Sequence, residues 1–258
     1  MWKRLGIFAA IVVLLSPEPF PIREAAAETV DLELVLAVDS SLSVDREEFA
    51  LQMRGLADAF RDPNVIAAIQ ASGDHGIAVC LVHWASIMGQ SLALDWTVIR
   101  GAASAERFAR RVEEVPRLLV GGSTSITSAL KYSIRQVLEN RFEGRRMVID
   151  VSGDGRHNQG IGPTGQRDLA VALGITINGL AILNEDRELD LYYRDHVIGG
   201  TGAFVITARN FRDFAEAMVR KLVREIAAPP LAMTPKPQRG SSGTISAVPV
   251  AIGRAPWT

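Results

Sequence analysis

Leu32-Glu33-Leu34-Val35-Leu36-Ala37-Val38-Asp39-Ser40-Ser41-Leu42-Ser43 is the stretch that decides the fold class. Apolar and branched residues, interrupted only by Glu33, run straight into an acid and a cluster of serines. A short apolar run bounded by turn-forming residues predicts a strand buried on both faces, the kind found in parallel sheets covered by helices. The segment that follows, 45–60, places Phe49, Met53, Leu56 and Phe60 at helical spacing. Asp45, Glu47 and Glu48 sit in its first turn, where the helix dipole favours acids.

The same alternation continues outward. Residues 77–84 and 90–99 read as strands joined by a short connection, so the second is expected to be antiparallel. A helix over 104–115 stops near Pro116. The loop Gly121-Gly122-Ser123-Thr124-Ser125 then leads into a helix reaching about residue 140. A strand over 146–151 ends in Ser152-Gly153-Asp154-Gly155. A helix over 164–173, a strand over 175–182, a weak helix over 186–197, a strand over 203–207 and an amphipathic helix over 211–226 complete the pattern. The expected architecture is α/β: a doubly wound, mostly parallel six-stranded sheet with one antiparallel edge strand and helices on both faces. It occupies one domain, residues 28–228.

Composition agrees with a globular domain and narrows its partners. The chain has 258 residues, 48% hydrophobic and 22% charged, which excludes a disordered or collagen-like chain. Its 28 Lys and Arg against 29 Asp and Glu give a net charge of -1. The two ends hold six of the basic residues and two of the acids, so 28–228 keeps 22 against 27, a net of −5. A mildly acidic domain suits a cation and argues against a nucleic-acid partner. The single cysteine, Cys80, excludes an intramolecular disulfide framework and any cysteine-cluster metal site; within an apolar strand it reads as a buried, inert thiol. His83, in the same strand, reads as a satisfied core or edge histidine.

Lys3 and Arg4 precede an apolar run, Leu5–Leu15, which is followed by Pro17, Pro19 and Pro21 and then by Ala25-Ala26-Ala27. This layout is that of a secretory signal peptide over 1–27, cleaved after Ala27. The run is too short to span a bilayer. The expected location is therefore exported, periplasmic or secreted, with no membrane span after cleavage. Residues 229–258 hold six of the twelve prolines and no apolar periodicity, and read as a flexible tail.

In a doubly wound sheet ligands bind beyond the carboxyl ends of the strands. Three predicted loops meet that edge. The first carries Asp39, Ser41 and Ser43, whose i, i+2 spacing lets the two hydroxyls converge. The second carries the hydroxyls of 123–125, and the third carries Asp154 between two glycines. Two carboxylates with neutral hydroxyls and no thiolate form a hard-oxygen donor set, suited to Mg²⁺ or Mn²⁺ and less to Ca²⁺. Each residue also has an ordinary explanation: Ser43, Asp45, Thr124 or Ser125 as helix caps, and Asp154 as a turn residue.

Asp39-x-Ser41-x-Ser43, a glycine-rich loop with a threonine ahead of a helix, and an apolar strand ending in Asp154-Gly155 together resemble the von Willebrand factor type A domain. The likeness extends to secreted bacterial members of unknown function, with stretches such as 148–155 and 199–204. The resemblance implies a metal-ion-dependent adhesion site. In it Ser41, Ser43 and Thr124 would touch the cation directly, and Asp39 and Asp154 would act partly through water. Thr127 is the alternative to Thr124. Through such a site the protein would bind a partner protein by an Asp or Glu side chain.

Enzymatic readings find less support. No G-x-S-x-G nucleophile elbow occurs in the chain, and the first strand ends in Asp39-Ser40-Ser41-Leu42-Ser43, without the glycines that a dinucleotide-binding G-x-G-x-x-G turn needs there. A Mg²⁺-dependent phosphotransfer enzyme could use Asp39 as nucleophile, but Lys131 is poorly placed to assist it. The expected function is a cation-dependent protein-binding module and not an enzyme. The alternative is a metal-free periplasmic scaffold or solute-binding domain.

Overall fold

In a computed structural model, which describes residues 27–119 and 122–227, the opening apolar stretch lies at the centre of the molecule. Residues 1–26 of the expected signal peptide, the expected tail, Val120 and Gly121 lie outside the described residues. Glu28–Val30 forms β1 and Leu32–Asp39 forms β2, every residue of the latter buried. Arg46–Arg61 (α1) and Pro63–Ala71 (α2) lead to the strands Ile77–Trp84 (β3) and Gln90–Ile99 (β4). Ala102–Glu113 (α3), Ile126–Glu139 (α4), Phe142–Gly144 (β5) and Met147–Gly153 (β6) follow. The chain continues through Thr164–Ala172 (α5), Ile175–Ile182 (β7), Leu189–Tyr192 (α6), Val205–Ala208 (β8) and Phe214–Ala227 (α7).

The main sheet has six strands in the order β4-β3-β2-β6-β7-β8. β3 and β4 pair antiparallel and every other pairing is parallel, as expected from the sequence. Successive side chains of β2 enter opposite cores, as strand geometry requires. Leu34, Leu36 and Val38 pack with α1, α2, α3 and α7 residues such as Leu56, Ile69, Phe108 and Leu222. Val35 and Ala37 pack on the other face, with Ile126, Leu130, Ala170 and Leu189. The winding reverses at β2, which has β3 on one side and β6 on the other. The carboxyl ends of β2 and β6 therefore open side by side at the switch point.

Several local expectations need correction. Residues 63–71 form a helix that the sequence reading passed over, although Asp62 accepts from Asn64 N and Pro63 opens the first turn. A separate two-stranded parallel sheet joins β1 to β5. The segment read as a helix over 186–197 is α only at Leu189–Tyr192 and continues as a π-helical turn over Tyr193–Val197. The last helix starts with a 3₁₀ turn, Phe211–Asp213. His83 is fully buried as expected, but neither ring nitrogen has a hydrogen-bond partner, so it is not satisfied. Trp84 and Trp96 are both buried packing residues, and Cys80 is a buried free thiol.

Candidate metal centre

Asp39 is the last residue of β2 and is fully buried. Its Oδ1 accepts from Ser41 N at 2.8 Å, which turns the chain at the sheet edge. Ser41 Oγ and Ser43 Oγ then lie 3.2 Å apart. Ser43 Oγ donates to Asp154 Oδ1 at 2.8 Å, across 111 residues of sequence. The capping role that might have claimed Ser43 belongs to Asp45, which accepts from Glu48 N at 2.8 Å and completes a capping box with the Glu48 side chain.

The second loop adjoins the third. Thr124 N donates to Asn158 Oδ1 at 2.8 Å and Asn158 N donates back to Thr124 O at 2.9 Å. Thr124 is buried, and its Oγ1 would lie 3.7 Å from a side chain at Gly155, the residue after Asp154. The hydroxyl of Thr127 is engaged elsewhere, donating to Ile161 O at 2.5 Å. Ser125, at the start of α4, makes no capping bond; its Oγ meets Ser128 Oγ and Gln159 O. The structure therefore brings Asp39, Ser41, Ser43 and Asp154 into one hydrogen-bonded group, with Thr124 beside it.

Two buried oxygens in this group have no partner: Asp39 Oδ2 and Asp154 Oδ2. Burial pushes the Asp39 carboxyl up to about 7, with the nearby Asp154 charge adding to the rise. Hydrogen bonds from Ser41 and the charge of Arg117 oppose it. The Asp154 carboxyl is also raised, mainly by burial, against the Ser43 hydrogen bond. Two acids that are costly to ionise together, ringed by hydroxyls, fit a hard divalent cation. Among the described residues no group of three or more His, Cys, Asp or Glu is gathered to hold a metal, so any site here would be hydroxyl-rich.

Four residues of the site were given no role in it by the sequence reading. Gly153 is one: a Cβ there would come 2.9 Å from both Asp39 Oδ2 and Tyr193 Oη, so β6 can pass the carboxylate only as glycine. Tyr193 is the second, fully buried in the π-helical turn with an unpartnered hydroxyl. Arg117 is the third; it donates to Ser40 O at 3.0 Å, to Ser41 O at 2.8 Å and to Leu119 O at 3.1 Å, fastening the first loop to the approach to the second. Gln52, on α1, donates to Asp39 O at 3.2 Å. Only the glycine was visible in sequence, as part of Gly153-Asp154-Gly155. Arg156, two residues after Asp154, is held by Asp186 at 2.5 Å.

The comparisons with known proteins agree with this arrangement at the level of fold. Proximal thread matrix protein 1 from the mussel byssus, in one crystal form, superposes with a TM-score of 0.55 at 18% identity, over 79% of this chain and 49% of that one. The same protein with a zinc-occupied metal-ion-dependent adhesion motif gives 0.53 at 17% identity, with the same coverage of 79% and 49%. The von Willebrand factor domain of the type V pili tip protein Mfa5 from Porphyromonas gingivalis gives 0.53 at 12% identity, over 78% of this chain and 96% of that one. The chain spans about half the length of the mussel protein. No curated protein sequence matches it. The model of one family, described as "Protein of unknown function (DUF1194)", matches residues 29–230. With that match over most of its length, the chain belongs to the DUF1194 family, and its fold is that of a von Willebrand factor type A domain.

Proposed function

We propose that this protein is an exported, divalent-cation-dependent protein-binding module rather than an enzyme. Asp39, Ser41, Ser43, Thr124 and Asp154 would hold Mg²⁺ or Mn²⁺. One observation carries the reading: two buried carboxylate oxygens, Asp39 Oδ2 and Asp154 Oδ2, lack partners beside hydroxyls already joined to their carboxylates. An ionised carboxylate in that position needs a compensating charge. A bound cation with an open position supplies a positive centre for an Asp or Glu of a partner. This chain's own groups orient the donors: Asp45 caps α1 in place of Ser43, Arg117 holds the first loop, and Gly153 leaves room beside Asp39. Export rests on the amino-terminal signal-like segment, and no described helix is long and apolar enough to cross a membrane.

The test is a thermal melt of the full chain in EDTA and then in Mg²⁺, Mn²⁺ or Ca²⁺. At a hundredfold excess over its dissociation constant a cation adds about 2.7 kcal/mol of stability. Asp39→Ala is expected to stay folded in EDTA and to lose that gain, as read by the melting midpoint and by calorimetric titration with Mn²⁺. An unchanged cation response in Asp39→Ala would overturn the site. No response to any cation would favour the metal-free scaffold.

A further inference from the structure

Eight large apolar side chains are exposed among the described residues: Leu42, Ile87, Met88, Leu118, Ile161, Leu169, Val171 and Leu191. The first five all lie on the loops that surround the candidate metal centre. Met88 is 90% exposed, Ile161 87% and Leu42 75%, values that a side chain packed against its own domain would not have. The loops that carry them are joined to one another. Leu42 N donates to Gly122 O at 3.2 Å, and Ile87 N donates to Gln159 Oε1 at 2.9 Å. Gly89 N donates to Ser86 O at 2.9 Å, closing the turn that presents Ile87 and Met88. Thr127 Oγ1 donates to Ile161 O. Ile87 Cδ1 would lie only 3.2 Å from a side chain at Gly160. These bonds join Ile87, Met88 and Ile161 as a crescent on the β3–β4 side of Asp39 and Asp154, with Leu42 and Leu118 on the adjoining loops. Apolar exposure concentrated in this way marks an interaction surface.

The opposite side of the centre has different chemistry. There the amino terminus of α1 meets the loop after β7, with Asn184 Nδ2 donating to Glu48 Oε1 at 3.2 Å. Asp45, Glu48 and Glu185 supply acids on this side. Arg156, the cation that reaches across, is bound to Asp186. Arg46 and Arg187 are exposed beside these acids in the chain but form no described ion pair with them.

We infer that this face seats a protein segment in which one carboxylate is flanked by bulky apolar side chains on one side and by a basic side chain on the other. The inference rests on the cation-dependent reading above and adds the identity of the flanking groups. Its argument is complementarity: apolar crescent to apolar flank, acidic rim to basic flank, with the unpartnered Asp39 and Asp154 oxygens between them. A lipid surface suits it less, because the rim opposite the crescent is acidic and would repel anionic headgroups.

The experiment uses the full chain and an array of synthetic peptides with a fixed central Glu. The flanks are varied independently among Leu or Phe, Lys or Arg, Asp, and Ser, and binding is read in Mn²⁺ and in EDTA. Peptides with an apolar flank on one side and a basic flank on the other are expected to bind at least tenfold better than Ser-flanked ones, only with Mn²⁺. The double variant Met88→Ser with Ile161→Ser is expected to lose about tenfold for the apolar-flanked peptides while binding Mn²⁺ as before; both side chains are exposed, so folding is spared. Mn²⁺ uptake with peptide binding that ignores the flanks and the double variant, or with no peptide binding, overturns the inference and leaves the cation site standing. Failure to take up Mn²⁺ at all overturns the reading beneath it. Two other results assign the crescent to another occupant and overturn the proposal: binding to phosphatidylglycerol vesicles that the double variant abolishes, or a dimer that the double variant dissociates.

Discussion

Two buried acids, Asp150 within strand β6 and Asp154 just beyond its end, are treated by the molecule in opposite ways. Asp150 lies inside the sheet, 2.8 Å from Lys221 Nζ on α7, and both side chains are buried. Lys221 also pairs with Glu225, which accepts from Asn178 Nδ2 at 2.9 Å. Burial still pushes the Asp150 carboxyl up to about 7, against the pull of Lys221. Asp154, at the strand's end, receives a serine hydroxyl but no lysine or arginine, and its neighbour Asp39 has only the more distant charge of Arg117. The interior acid has a cation built into the fold. The edge acids do not, which is the arrangement expected where the cation comes from solution. The difference teaches that burial of a carboxylate marks a ligand site only where the chain withholds its own counter-charge.

The comparison breaks most sharply at Lys221. Lys221→Met removes the cation that pairs with both acids of the interior cluster and leaves Asp150 and Glu225 buried together. Breaking a buried pair from one side costs about 3–5 kcal/mol. Urea unfolding of the variant, in EDTA throughout, is expected to show a loss of that size. A loss under about 1 kcal/mol would mean that the acids neutralise by taking up protons, and the contrast with the edge would fail.

His83 offers a third way to bury an ionisable group, because imidazole can simply remain neutral. Burial pushes its pKa down to about 4, helped by the positive charge of Arg117, and the ring stacks edge-on with Phe49 at 5.1 Å. The unfolded chain then binds this proton more tightly than the folded one. The stabilising contribution is complete above about 6.5 and is lost as the pH falls through about 4. Two to three pKa units correspond to about 3 kcal/mol. The stability of the native protein minus that of His83→Leu is expected to fall by about that amount between pH 7 and pH 4. A flat difference, measured by urea unfolding at each pH, would show that the buried ring finds a partner when protonated.

The sequence exposes the edge better than the interior. The strands β2 and β6 declare themselves as apolar runs, and the acids and serines that end them follow at once, so Asp39, Ser41, Ser43 and Asp154 can be nominated together. Lys221 and Glu225 are harder. They fall at helical spacing with Phe214, Met218 and Leu222 on the buried face of α7, but nothing local says that their partner is an acid in a strand some seventy residues earlier. The pairing of β1 with β5 is invisible for the same reason, since strands of three residues carry no periodicity and their register is set by long-range contact. The helix α2 was legible in principle from Asp62-Pro63, and was missed because its apolar face is short. Tyr193 was missed because the π-helical turn rotates it out of the register an α-helix would give.

Tyr193 makes the finest test of what the edge lacks. Its hydroxyl is buried without a partner, close enough to Asp39 that both would crowd any side chain at Gly153. The charges of Asp39 and Asp154, added to burial, hold the phenol well above its ordinary range, so it stays protonated. A buried hydroxyl that makes no bond contributes nothing to stability, and removing it while keeping the ring is neutral or stabilising by up to about 1 kcal/mol. Tyr193→Phe is therefore expected to melt within a few degrees of the native protein in EDTA and to keep its full gain on adding Mn²⁺. A variant that melts normally in EDTA but loses part of the Mn²⁺ gain would show the hydroxyl acting on the loaded site through Asp39. A variant destabilised by more than about 1 kcal/mol in EDTA would show that the phenol already donates to Asp39, and that the edge carboxylate is less deprived of partners than the contrast with Asp150 requires.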